Sequence, residues 1–127
     1  MITVLPIEDN AALEQLFNKE DIFFNSESCG VIANDGNEQI GYCLFSLSNN
    51  GAEILRLEPR DNLLLADGIL RSALHVAICR GTIKAYYSEN APEELFCKLG
   101  FVTDKEKRML DVTKLFKKCS SCSTEST

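Results

Sequence analysis

The chain has 127 residues, 45% of them hydrophobic and 25% charged, with a net charge of −6. That suits one globular domain with a sizeable core, so no disulfide framework or structural metal is required. The acidic balance excludes a nucleic-acid backbone as the expected partner, no apolar run approaches the ~20 residues that span a bilayer, and Met1–Pro6 has no basic stretch leading into an apolar one, so a cytoplasmic protein is expected.

Thr3 to Leu5 reads as a short strand ended by Pro6. Glu8-Asp9-Asn10 then open a helix whose apolar stripe is Leu13, Leu16 and Phe17, at i, i+3 and i+4. Asp21 to Cys29 is ambiguous, with Ile22, Phe23 and Phe24 expected in the core or at the mouth of a cleft. Gly30 to Ala33 reads as a strand, Asn34-Asp35-Gly36-Asn37 as a tight turn, and Gln39 to Leu47 as a second strand. On that strand Ile40, Tyr42 and Leu44 share one face, and Cys43, Phe45 and Leu47 the other, so both faces are covered. Ser48 to Gly51 turns the chain into a third strand, Ala52 to Glu58. Strict alternation there puts Leu55 and Leu57 on one face and Ile54, Arg56 and Glu58 on the other.

After Pro59, Asp61 or Asn62 is placed to cap a helix predicted from about Leu63 to Cys79. Its apolar face is Ala66, Ile69, Leu70, Ala73, Leu74 and Ala77, with Gly68, Arg71, Ser72, His75 and Cys79 opposite. Arg80-Gly81 ends it. Thr82 to Tyr87 reads as a strand, and Ala91-Pro92-Glu93-Glu94 starts a short helix that packs Leu95, Phe96 and Leu99 inward and stops at Gly100. Phe101-Val102 and Met109 to Val112 read as two more strands, followed by a basic amphipathic stretch, Lys114 to Lys118. The result is one α+β (mixed α/β) domain over 1–118, with a mostly antiparallel central sheet flanked by helices. The Ser/Thr-rich segment 119–127 is expected to be disordered, having little to bury against its ordering entropy. Cys29, Cys43, Cys79 and Cys97 are read as reduced core thiols, and no metal site is expected, since Cys119-x-x-Cys122 lacks a second ligand pair.

Three stretches resemble the GNAT family of N-acetyltransferases: the hairpin Val31 to Ser46 running into Ala52–Pro59, the segment Asp67-Gly68-Ile69-Leu70-Arg71-Ser72-Ala73-Leu74, and Leu95-Phe96-Cys97-Lys98-Leu99-Gly100-Phe101. They are similar to the family's strand meander, its "GIGSALL" acetyl-CoA motif and its "LYEKLGF" segment. The resemblance implies a GNAT-like acyl-CoA N-acyltransferase fold and transfer of an acetyl group from acetyl-CoA to an amine, either a small molecule or a protein amino group. It further implies that Ala52–Pro59 splays from its neighbour, with Leu57 and Glu58 near the thioester, and that a loop between Leu64 and Leu70 holds the pyrophosphate through unpaired N–H groups. Leu57, Asp67, Gly68, Ile69, Leu70 and Phe96 are thereby assigned to cofactor binding, and Glu58 to the catalytic base.

The motif departs from the family pattern at several positions. Leu65 stands where the family has Arg or Gln, and Leu70 where it has a second small residue, so crowding of the diphosphate is expected. Asp67 adds negative charge there. Phe96 stands where the family has its tyrosine acid, and a phenyl ring has no proton to give. His75 is read as a surface histidine. The alternative function is therefore a non-catalytic GNAT-like ligand-binding or regulatory module.

Overall fold

A computed structural model describes residues 2–112. The expected domain limit at 118, the basic stretch Lys114–Lys118 and the Cys119/Cys122 pair lie outside these residues. Strands β1 (Ile2–Pro6), β2 (Ser28–Asp35), β3 (Glu38–Ser48), β4 (Gly51–Glu58), β5 (Ala85–Tyr87), β6 (Val102–Asp104) and β7 (Met109–Leu110) alternate with helices α1 (Asn10–Lys19), α2 (Leu63–Cys79) and α3 (Glu93–Leu99). The strands form one seven-stranded sheet in the order β1-β2-β3-β4-β5-β7-β6. Only the β4–β5 pair is parallel, as its helical crossover through α2 demands. The mixed, mostly antiparallel sheet is as expected.

The local signals act as their chemistry predicts. The Asp9 carboxylate accepts from the Ala11 N–H and caps α1, and the Asn62 side chain accepts from the Leu65 N–H and caps α2. Gly100 ends α3 with φ of 79°, a conformation that costs a residue without Cβ little. Apolar groups on both faces of β3 bury the sheet from two sides. On one face, Cys43 and Phe45 pack with Ile54, Leu57 and the Ile69, Leu70 and Leu74 side chains of α2. On the other, Tyr42 and Leu44 pack with Leu13 and Phe17 of α1.

Two β-bulges alter the alternation expected from sequence. Between Ala33↔Gly41 and Asn34↔Gln39, Ile40 is the extra residue, and it packs on the α2 face rather than with Tyr42 and Leu44. Between Leu44↔Arg56 and Phe45↔Ile54, Leu55 is the extra residue. Ile54 and Leu57 therefore share the α2 face, while Leu55 packs on the α1 side, correcting the expected Leu55/Leu57 pairing. An inserted residue shifts the phase of every side chain beyond it.

Other expectations need narrowing. The strand expected over Thr82–Tyr87 forms only at Ala85–Tyr87, and Ile83 is exposed. Phe23 is 81% exposed, while Ile22 and Phe24 pack against the α1 cluster. Of the expected core thiols, Cys43 is buried, Cys29 half-buried, and Cys79 and Cys97 exposed. No helix among the described residues is long and apolar enough to cross a membrane.

Candidate functional site

β5 is only three residues long. It pairs with β4 from Ala52↔Ala85 to Ile54↔Tyr87, and the Ser88 N–H closes the ladder by donating to the Ile54 carbonyl. The chain then turns away through Ser88–Asn90, where the Ala91 N–H donates to the Ser88 carbonyl. β4 continues from Leu55 to Glu58, held by β3 through Leu44↔Arg56, Cys43↔Leu57 and Tyr42↔Glu58. A wedge thus opens between the second half of β4 and the chain after β5. Its β4 lip begins at the Leu55 bulge.

Gly41 on β3 lets the end of this lip come close. A Cβ there would lie 2.7 Å from the Glu58 carbonyl oxygen, 2.7 Å from Ile69 Cδ1 and 2.9 Å from Pro59 Cδ. Glu58 is half-buried and ion-paired with Arg60 at 3.4 Å. On the α1 side of the sheet, Arg56 Nε donates to Glu20 Oε1 at 3.0 Å, and the Tyr42 hydroxyl donates to Glu20 Oε2. Burial opposes ionisation of Glu20, but the Tyr42 hydroxyl and Arg56 together hold its carboxyl below the usual range. The same burial and the facing Glu20 carboxylate push the Tyr42 phenol well up, so it stays a proton donor to Glu20.

Helix α2 starts within a few residues of the wedge. Its first turn keeps the Asn62 cap on the Leu65 N–H, and the Ala66 N–H donates to the Asn62 carbonyl. Ahead of these, the Leu63 and Leu64 N–H groups carry the positive end of the helix. One turn further, Arg71 Nε donates to Asp67 Oδ2 at 2.7 Å, and the guanidinium lies 5.2 Å from the Phe101 ring centroid. Arg71 Nη1 is buried with no hydrogen-bond partner. A guanidinium nitrogen in that state is under-satisfied.

No family model matches the sequence, and no curated protein does. Solved structures do. The chain is similar to the ribosomal-protein-S18-alanine N-acetyltransferase of Escherichia coli, with a TM-score of 0.57 and 13% identity over 86% of this chain and 88% of that one. The ribosomal-protein-alanine N-acetyltransferase of Brucella melitensis biovar Abortus 2308 gives a TM-score of 0.57 and 13% identity over 78% of this chain and 90% of that one. PaiA N-acetyltransferase from Thermoplasma acidophilum, in complex with coenzyme A, gives 0.51 and 17% over 76% and 64%.

The chain has the GNAT acetyltransferase fold. On this GNAT fold the residues singled out from sequence fall into separate groups. Glu58 and Leu57 lie on the lip of the wedge, but the Leu57 side chain is fully buried toward α2, which leaves only its backbone at the lip. The loop expected between Leu64 and Leu70 is helical, since α2 already begins at Leu63. Asp67, Gly68, Ile69 and Leu70 therefore spend their N–H groups inside the helix. Ile69 and Leu70 point fully buried into the core, so the crowding expected from the Leu70 side chain has no source. Gly68 lies on the outer side, where an added Cβ would meet nothing within 4 Å.

Phe96 is fully buried, 5.1 Å from the ring of Tyr87. Tyr87, also buried, donates its hydroxyl to Glu93. His75 is exposed as expected and lies 3.5 Å from Cys79 Sγ. Sequence reasoning missed Arg71, Arg56, Glu20 and Tyr42 as members of the site. A charged residue in the apolar strand run Leu55-Arg56-Leu57 was a usable signal. Nothing local marked Glu20 as its partner.

Proposed function

We propose that this protein is an acyl-CoA-dependent N-acyltransferase that transfers an acetyl group from acetyl-CoA to an amine, with Glu58 as the base. The observation that carries the proposal is the wedge: β4 loses its β5 partner after Ile54 and runs on to Glu58 with one edge unpaired. An unpaired strand edge offers fixed N–H and C=O groups at the spacing of an extended amide chain, which is the chemistry of a pantetheine arm. The likeness to a GNAT structure in complex with coenzyme A supports the same assignment.

The residues at α2 fit the charged end of such a molecule. The Leu63 and Leu64 N–H groups and the partly exposed Arg71 guanidinium would hold its phosphates, with Arg71 as the cation that Leu65 does not supply. Asp67 holds Arg71 in place through the 2.7 Å ion pair rather than simply opposing an anion. When bound, acetyl-CoA supplies an activated acyl carbonyl. Glu58, at the end of the lip, accepts the proton of the attacking amine as the carbon–nitrogen bond forms and the carbon–sulfur bond breaks. Backbone N–H groups on the unpaired β4 edge would carry the charge that develops on the carbonyl oxygen.

A second function, ligand binding without turnover, is favoured by Phe96, since the position that resembles the family's acid carries no hydroxyl and is sealed in the core. One experiment separates the two. Under the enzyme proposal, unfolding temperature rises with acetyl-CoA, by roughly 2.7 kcal/mol of added stability at 100 times Kd, and free CoA is released when amines are supplied. Stabilisation without thiol release across a panel of small amines and peptide N-termini favours the binding module. No stabilisation by any acyl-CoA rejects the enzyme and leaves only a module that binds a ligand of another class.

A further inference from the structure

Arg56 connects the parts around the wedge. The Leu55 bulge turns it to the α1 side of the sheet, where four hydrogen bonds gather on it. Nε and Nη2 donate to Glu20, to Oε1 at 3.0 Å and to the carbonyl oxygen at 3.5 Å. Nη1 donates to the Leu55 carbonyl at 3.4 Å and, across the gap, to the Asn90 carbonyl at 3.1 Å. Glu20 caps the C-terminal end of α1, and its carboxylate is fixed from the other side by the Tyr42 hydroxyl. One planar guanidinium therefore ties the end of α1, the β4 lip and the turn opposite it.

We infer that Arg56 is a positioning residue that sets the width of the wedge, with Glu20 and Tyr42 orienting Arg56 in turn. Its connection to a ligand rests on the acyl-CoA function proposed above. A guanidinium committed to Glu20, Leu55 and Asn90 has few donors left for a substrate, so its work is geometric. The planar fork suits that work, because it fixes direction as well as distance. Without the Asn90 bond, the chain after Ser88 has no tether to β4 beyond Ile54 among the bonds described, and an arm lying along the β4 edge loses its opposite wall. A misplacement of about 1 Å at such a site can cost on the order of 100-fold in rate.

The test uses the full-length protein and two measurements. Amide hydrogen exchange on the ligand-free protein reads the wedge directly. In Arg56→Gln, exchange at Ser88 and Ala91, whose N–H groups donate to the Ile54 and Ser88 carbonyls, should rise about tenfold relative to Ile69 and Leu70 in α2. Calorimetry then compares CoA with adenosine 3′,5′-bisphosphate, which lacks the pantetheine arm. Arg56→Gln should weaken CoA about tenfold and leave the bisphosphate within roughly twofold, while Arg56→Lys and Tyr42→Phe fall between it and the parent.

Glu20→Gln combined with Arg56→Gln removes the unbalanced charge and should still loosen the wedge. Restored protection in that double variant would mean that stranded charge, not the lost brace, caused the effect, and would overturn the proposal. Unchanged exchange in Arg56→Gln, or equal weakening of both nucleotides, would also overturn it. If the parent binds neither nucleotide, the acyl-CoA function fails, and the exchange result alone decides whether Arg56 braces the wedge.

Discussion

The two halves of β4 are continuous in sequence and opposite in circumstance. Ala52–Ile54 is paired on both sides, to β3 and to β5, with Ala52 and Ile54 fully buried. Beyond the Leu55 bulge, Arg56–Glu58 is paired to β3 alone, and Arg56 and Glu58 are both half-buried. The first half behaves as core and the second as a lip. A single inserted residue, Leu55, stands at the boundary. The comparison teaches that one strand can anchor a fold and still leave an edge unpaired, provided its neighbour is short.

The largest expected effect falls in the paired half. Ile54→Ala removes a fully buried side chain and should cost about 2–5 kcal/mol of stability by chemical denaturation, while CoA affinity of the folded fraction stays the same. A loss of affinity larger than the loss of stability would break the division. Glu58→Gln should do the reverse. Turnover should fall about 100-fold with unfolding temperature and CoA affinity little changed, and unaltered steady-state kinetics would remove Glu58 as the base.

Gly41→Ala sits between the halves in effect. The new methyl would press on the Glu58 carbonyl oxygen, Ile69 and Pro59, so a destabilisation of about 1–3 kcal/mol accompanied by lost turnover is expected. Lost stability with full specific activity would show that the lip tolerates displacement. Gly68→Ala should stabilise the free protein by about 1 kcal/mol, since the methyl meets open space in a helix. If Gly68 gives a phosphate close approach, CoA affinity falls in the same variant, and thermal shifts with and without CoA measure both.

The smallest effect is on pH dependence. Glu20 is held below the usual carboxylate range, with burial opposing and Tyr42 and Arg56 prevailing. An acid depressed by folding contributes its full stability above the unfolded value and loses it as pH falls through the folded one. Urea midpoints should therefore drop in the parent as pH falls through the acidic carboxylate range, and less steeply in Glu20→Gln. Parallel curves would show that Glu20 is not held by folding.

Much of this fold was legible because its signals are local. The helix Leu63–Cys79, the cap at Asn62 and the stop at Gly100 rest on residues a few positions apart, and α2 forms with those limits. The GNAT-like order of elements followed from them, and Glu58 stands at the end of β4 as its strand pattern implied. The helical state of Asp67–Leu70 was half legible, because the run Leu63-Leu64-Leu65 and the Asn62 cap both favour an early start. Family likeness argued for a loop instead, and local propensity prevailed. The phase of β4 was not legible. A bulge depends on how two strands meet, and the alternation of Ile54 to Glu58 reads equally well without one.

From the sequence alone came the elements, their order and the two-sided burial of the central strands, since periodicity and turn chemistry act over a handful of neighbouring residues. Only the tertiary structure decided that β5 stops short of β4, that Arg71 is left with an unsatisfied nitrogen, and that Arg56 spans the wedge. The reason is distance along the chain. Glu20 meets Tyr42 and Arg56 across 22 and 36 residues, and Arg56 meets Asn90 across 34. Contacts of that range are set by how the sheet and helices pack, and no local pattern encodes them.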